Sequence, residues 1–154
     1  MPSIFRESSI TNVDGLSEWG TSKVENMVSM FDLARNLADI DGLESWDTSS
    51  VTDMSGMFQY VNLTDFNDLS NWDTGNVTDT SEMFYFNLGG LTDISGISGW
   101  DISNVTNMSY MFAYDGGITS LTVLNDWGTS SVLEKGNMIL EIPSEITRPI
   151  WWNL

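Results

Sequence analysis

The chain has 154 residues, 41% of them hydrophobic, with 22 acidic and five basic side chains and a formal net charge of −17. That length supports a single domain with a real core, and that apolar fraction excludes a disordered acidic tail. The cations Arg6, Lys23, Arg35, Lys135 and Arg148 assemble neither a stripe nor a patch, which argues against nucleic acid and anionic membrane as partners. Cysteine is absent, so disulfides and thiolate metal sites are excluded. No apolar run approaches a membrane span, so no membrane insertion is expected. The opening MPSIFRESS lacks the basic start and apolar centre of a signal peptide. An extracellular or cell-surface location is therefore expected only if this is a fragment of an exported chain.

Residues 1–9 precede the first repeating unit and read as an N-terminal cap, with Ile4 and Phe5 placed to cover an open end. From there to residue 140 one pattern returns five times. It is anchored on Trp19, Trp46, Trp72, Trp100 and Trp127, spaced 27, 26, 28 and 27 residues apart. A fixed period of this size marks a repeat architecture, because one unit cannot bury its apolar face alone and must stack on the next.

Upstream of each tryptophan an apolar residue recurs every third position, as in Leu37, Ile40 and Leu43 before Trp46. This spacing predicts a short strand that turns, with each corner giving one side chain to a shared interior. After the tryptophan, Asp47, Asp73 and Asp101 carry turn chemistry, since Asp accepts from backbone N–H groups two residues on. Ser50, Asn76, Asn104 and Ser131 then stand where helix N-caps are expected, and Ser50–Asp53 and Ser131–Glu134 resemble capping boxes. Apolar residues follow at helical spacing: Val51, Met54, Met57 and Phe58, then Val105, Met108, Met111 and Phe112.

The predicted fold class is thus an α/β repeat: a solenoid of about five coils, each a short strand, turn and short helix. Its structural core is predicted at the five tryptophans together with Met57, Phe58, Met83, Phe84, Met111 and Phe112. Thr80 stands where neighbouring units have Met, and the last unit replaces Met and Phe with Lys135 and Ile139. Residues 141–154 hold Pro143, Pro149 and the apolar Ile150-Trp151-Trp152, and read as a C-terminal cap or an interface tail.

The unit from Ile40 to Phe58, with its core Trp46-Asp-Thr-Ser-Ser-Val51-Thr-Asp-Met54-Ser-Gly-Met57-Phe58, resembles the 26-residue repeat of bacterial surface proteins, the BspA-like group related to leucine-rich repeats. The likeness spans roughly residues 10–140. It implies a right-handed, leucine-rich-repeat-like solenoid in a surface protein engaged in adhesion. It brings no catalytic residues.

Three kinds of chemistry remain to be weighed. In register, Asp47, Asp73 and Asp101 form one column of like charges, and Asp39, Asp65 and Asp93 another. Calcium is the cation suited to relieve such a column, but no known calcium-loop spacing is present. Local satisfaction of backbone donors is therefore the preferred reading, with no metal or other cofactor. The Met and Trp ladders read as core and not as a binding face. Histidine is absent, and no carboxylate pair stands out for glycoside chemistry. The sequons at Asn62, Asn76, Asn104 and Asn107 read as by-products of the repeat. The functional expectation is a non-enzymatic binding or adhesion module that presents one face to a protein or glycan at a cell or particle surface. The alternatives are a structural component of a virion or extracellular assembly, and a carbohydrate-active enzyme.

Overall fold

The computed structural model of the protein describes residues 1–142 and 146–153. Successive repeat units lie one upon the next, and the backbone itself joins them. The N–H groups of Met54, Gly56, Phe58 and Tyr60 donate to the carbonyls of Asp79, Ser81, Met83 and Tyr85 in the following unit, at 2.9–3.0 Å. The N–H groups between them turn inward: Met57 donates to Met54 O and Gln59 to Gly56 O, both at 3.2 Å. The same alternation runs through residues 27–34, 80–86 and 108–115. Half of the backbone donors thus bond within a turn and half to the next unit, which leaves the buried backbone satisfied without a regular element.

This ribbon of turns requires left-handed backbone at fixed points. Positive φ falls on pairs four residues apart: Ser3 and Glu7, Ser29 and Leu33, Gly56 and Tyr60, Glu82 and Phe86, Tyr110 and Tyr114, Asn137 and Glu141. Most sit third in a four-residue turn, where a type II turn demands φ above zero. Only one of the twelve is glycine, so eleven side chains bear a strain that stacking must offset, on the order of 1–3 kcal/mol each.

The predicted α/β repeat, a right-handed leucine-rich-repeat-like solenoid of strand, turn and helix, is overturned. Among the described residues there is no α-helix and no sheet. Helical geometry is limited to single 3-10 turns at Asp14–Leu16, Leu43–Ser45, Asn67–Leu69, Ser95–Ile97, Thr122–Leu124, Thr129–Ser131 and Ile150–Asn153. Parallel pairing is limited to isolated bridges such as Asp53 with Asp79 and Asp79 with Asn107.

The physical reason lies in the ribbon's four-residue period. It turns positions i, i+3, i+4 and i+7 to one side, as an amphipathic helix does. Met27, Met30, Phe31 and Ala34 are all fully buried by this geometry, as are Met54, Met57 and Phe58, with Val61 nearly so. The bridges that link Asn26, Asp53, Asp79, Asn107 and Glu134 therefore form where the helix was expected, and the 3-10 turns from Leu43, Asn67, Ser95 and Thr122 form where the strand was expected.

The predicted N-caps are corrected with it. Ser50 Oγ, Asn76 Nδ2 and Asn104 Nδ2 donate to the carbonyls of Ser22, Ser49 and Gly75 in the preceding unit, all at 2.7 Å. Ser131 ends the turn Thr129–Ser131 and precedes no helix. Neither capping box forms, and Asp53 Oδ1 instead accepts from Ser55 N at 2.9 Å.

Two aromatic ladders fill the interior. Phe5, Phe31, Phe58, Phe84 and Phe112 stack at 5.4–6.0 Å with planes within 10° of parallel. Trp19, Trp46, Trp72 and Trp100 stack at 6.3–6.5 Å with planes within 7°. Each interior indole also donates backwards: Trp46 to Leu16 O, Trp72 to Leu43 O, Trp100 to Leu69 O and Trp127 to Ile97 O, at 2.9–3.2 Å. One anchor therefore supplies both apolar burial and a bond between units.

Both flanking segments join the stack. Ser3, Phe5 and Glu7 donate to the carbonyls of Val28, Met30 and Asp32 at 2.8–2.9 Å, so residues 1–8 repeat the ribbon half of a unit. Arg6 Nε adds an ion pair to the buried Asp32 at 2.9 Å. At the far end Trp151 stacks on Trp127 at 6.5 Å and donates to Leu124 O at 2.7 Å. Trp151 thus repeats, 24 residues after Trp127, the parallel indole contact made by the earlier tryptophans. Within this tail, Pro143 and Leu154 lie outside the described residues.

Candidate functional site

The structure places the sequence-predicted core residues as follows. Trp46, Trp72, Trp100, Trp127, Met57, Phe58, Met83, Phe84, Met111 and Phe112 are buried, whereas Trp19 is 37% exposed at the first unit.

The aspartate columns are occupied with their own backbone. Asp47 Oδ1 accepts from Ser49 N and from the Ser49 hydroxyl, at 3.1 and 2.6 Å. Asp73 Oδ1 accepts from Gly75 N at 3.1 Å, and Asp101 Oδ1 from Ser103 N at 2.9 Å. Asp39, Asp65 and Asp93 hold the N–H groups of Asp41, Asn67 and Ser95 in the same way. Hydrogen bonds from the Ser49 side chain and then its backbone hold the Asp47 carboxyl below the usual carboxylate range. Bonds from the Ser103 backbone and then its side chain do the same for Asp101. Among the described residues, no group of three or more acidic side chains is arranged to hold a metal ion.

A second acidic region lies in a cleft lined in part by Asp39, Asp41, Asp65 and Asp68. Burial, followed by the charges of Asp41, Glu44, Asp65 and Asp39, pushes the Asp68 carboxyl upward. This cleft stores repulsion and offers no arranged ligand set.

The feature that sequence reasoning missed is aromatic. All four tyrosines of the chain, Tyr60, Tyr85, Tyr110 and Tyr114, converge with Phe86 on one surface. The ribbon puts them there. Tyr60, Phe86 and Tyr114 occupy the same position in consecutive units, two residues after Phe58, Phe84 and Phe112. Each has φ between 55° and 67°, which turns a side chain outward just after one that points into the core. Phe86 and Tyr114 are 37% and 36% exposed, and the other three rings are half-buried. Because left-handed backbone recurs in every unit, this strain marks the ribbon and is not itself a sign of a site.

The rings meet differently from those of the core. Tyr85 contacts Tyr60, Tyr110 and Tyr114 at 5.5, 6.3 and 5.4 Å, with planes 65–70° apart. Polar groups border them. Gln59 Nε2 donates to Glu82 Oε2 at 2.9 Å, and Asn137 Nδ2 to the Tyr110 hydroxyl at 2.7 Å. The Arg35 guanidinium lies 5.4 Å from the centre of the Tyr60 ring. Burial is the first cause that raises the Tyr85 phenol above its ordinary value, and the nearness of Tyr60 is the second, so the ring stays neutral. The signal in the sequence is an aromatic residue two places after the Phe of the Met-Phe pair. A helical reading of the unit hides it, because that position then falls at the helix end.

The family described as Mycoplasma protein of unknown function, DUF285, matches residues 1–113 and 86–150. No curated protein and no solved structure matches the chain. The match is to this repeat-associated family and not directly to the 26-residue surface-protein repeat itself. Since the matched segments cover most of its length, the chain belongs to the DUF285 family, which is associated with BspA-like repeats.

Proposed function

We propose that this chain is a non-enzymatic binding module of a surface protein, and that the tyrosine face is where it meets its partner, a protein or glycan. One observation carries this reading: the chain spends all four of its tyrosines on one outward surface, while its other aromatic ladders are consumed by the core. Tyrosine supplies large contact area with few rotors to freeze and a hydroxyl for hydrogen bonding, which suits it to recognition. The resemblance to surface-protein repeats supports the placement at a cell surface.

The test is an array of purified glycans and proteins probed with the full chain and with a Tyr60→Ala, Tyr85→Ala, Tyr114→Ala variant. Loss of the recognised signals in a variant that still melts cooperatively is the expected result. Signals that survive the triple substitution unchanged would place the binding surface elsewhere.

A further inference from the structure

We infer that the cleft between Gln59, Tyr60, Glu82, Tyr85 and Tyr110 binds an organic cation, an alkylammonium or guanidinium group carried by the partner. This deepens the proposed function and rests on it, because it assigns a ligand chemistry to part of the same face.

Four observations converge. Three of the five lining residues are tyrosines, whose ring faces carry negative quadrupole potential and attract a cation within about 6 Å. The near-perpendicular contacts of Tyr85 with Tyr60 and Tyr110 set the rings as walls at an angle, unlike the closed parallel stacks of the core. Among the described residues the only charged group lining the cleft is Glu82, and Gln59 fixes its carboxylate through the 2.9 Å bond. The face already holds one cation in this way, since Arg35 lies over the Tyr60 ring without lining the cleft.

The charge of the whole chain agrees with the local geometry. A net charge of −17 draws cations towards the molecule and repels anionic ligands. A neutral apolar group gains nothing from Glu82, and an anion meets both Glu82 and the ring faces unfavourably. The shared chemistry has two sources, a quaternary ammonium such as choline and the basic side chain of a protein, and the experiment separates them.

The full chain is titrated with choline chloride, with Nα-acetyl-lysine amide, and with 3,3-dimethylbutanol, the neutral isostere of choline. The tyrosine ring resonances in carbon–proton NMR spectra give the readout. Either cation is expected to move the Tyr60, Tyr85 and Tyr110 signals in a saturable way while the neutral isostere does not. Whichever cation binds more tightly identifies the source. Glu82→Gln and Tyr85→Leu are each expected to weaken binding by about fivefold, the scale of one exposed cation–π or ionic contact. Tyr85→Phe keeps the ring and is expected to retain binding, which guards against loss through misfolding. Equal shifts with the isostere, or no shift with either cation, would overturn the inference. If that happens while array binding still depends on the tyrosines, only the cation assignment falls. If array binding is indifferent to the tyrosines, the broader reading falls with it.

Discussion

Replacing Trp72 with alanine tests the stack at its centre. Trp72 is only 4% exposed, and its ring lies between Trp46 at 6.4 Å and Trp100 at 6.3 Å. Phe58 packs against it at 6.2 Å. Truncating a core aromatic of this kind costs about 3–5 kcal/mol. The substitution also removes the indole bond to Leu43 O, but that carbonyl keeps the Trp46 N–H at 3.1 Å. No buried acceptor is orphaned, so the lost bond adds only about 0.5–1.5 kcal/mol. Trp19 is the internal control. It stacks on one tryptophan and is already more than a third solvated, so Trp19→Ala is expected to cost about 1–3 kcal/mol. Urea titration followed by far-ultraviolet circular dichroism gives both values, compared through midpoints at unchanged slope. Equal losses at the two positions would refute a ladder in which Trp19 has one tryptophan neighbour and Trp72 two.

Asn104→Ala is expected to cost about 0.5–1.5 kcal/mol through the lost bond to Gly75 O, with no change in helical dichroism, since that bond joins two units and caps no helix; a fall in helical signal would contradict this. Burial pushes the Asp115 carboxyl up to about 8, against an ordinary value of 3.8, with only Asn87 N bonded to Oδ1 among the described residues. A raised folded value means that the native state holds a proton the unfolded chain has released, so this contribution to stability is present below pH 3.8 and is lost as pH rises towards 8. Melting temperature is therefore expected to climb as pH falls from about 8 towards 5, and Asp115→Asn should flatten the climb; an unchanged slope in the variant would show that another group is responsible. Salt should stabilise a chain of charge −17 by screening, and calcium should do no more than magnesium or sodium at matched ionic strength, because Asp47, Asp73 and Asp101 already hold their own turns. A calcium-specific, saturating rise in melting temperature would overturn that assignment.

The repeat was legible in the sequence because its determinants are local and periodic. The spacing of Trp46, Trp72, Trp100 and Trp127 set the unit length. The Asp-x-Ser, Asp-x-Gly and Asp-x-Asn pattern specified turns in which a carboxylate accepts the N–H two residues on, whatever the surroundings. The nature of the unit was not legible. A ribbon of four-residue turns and an amphipathic helix both bury i, i+3, i+4 and i+7, so Met54, Met57 and Phe58 carry no information that separates them. Glycine would have flagged the left-handed positions, but Leu33, Tyr60, Glu82 and Phe86 stand among them instead. Those residues adopt positive φ only because the N–H of each finds a carbonyl in the next unit, a bond between residues 25–27 apart that no local propensity encodes. The tyrosine face has the same origin: Tyr60, Phe86 and Tyr114 become neighbours, and point outward, only once the units have stacked in register.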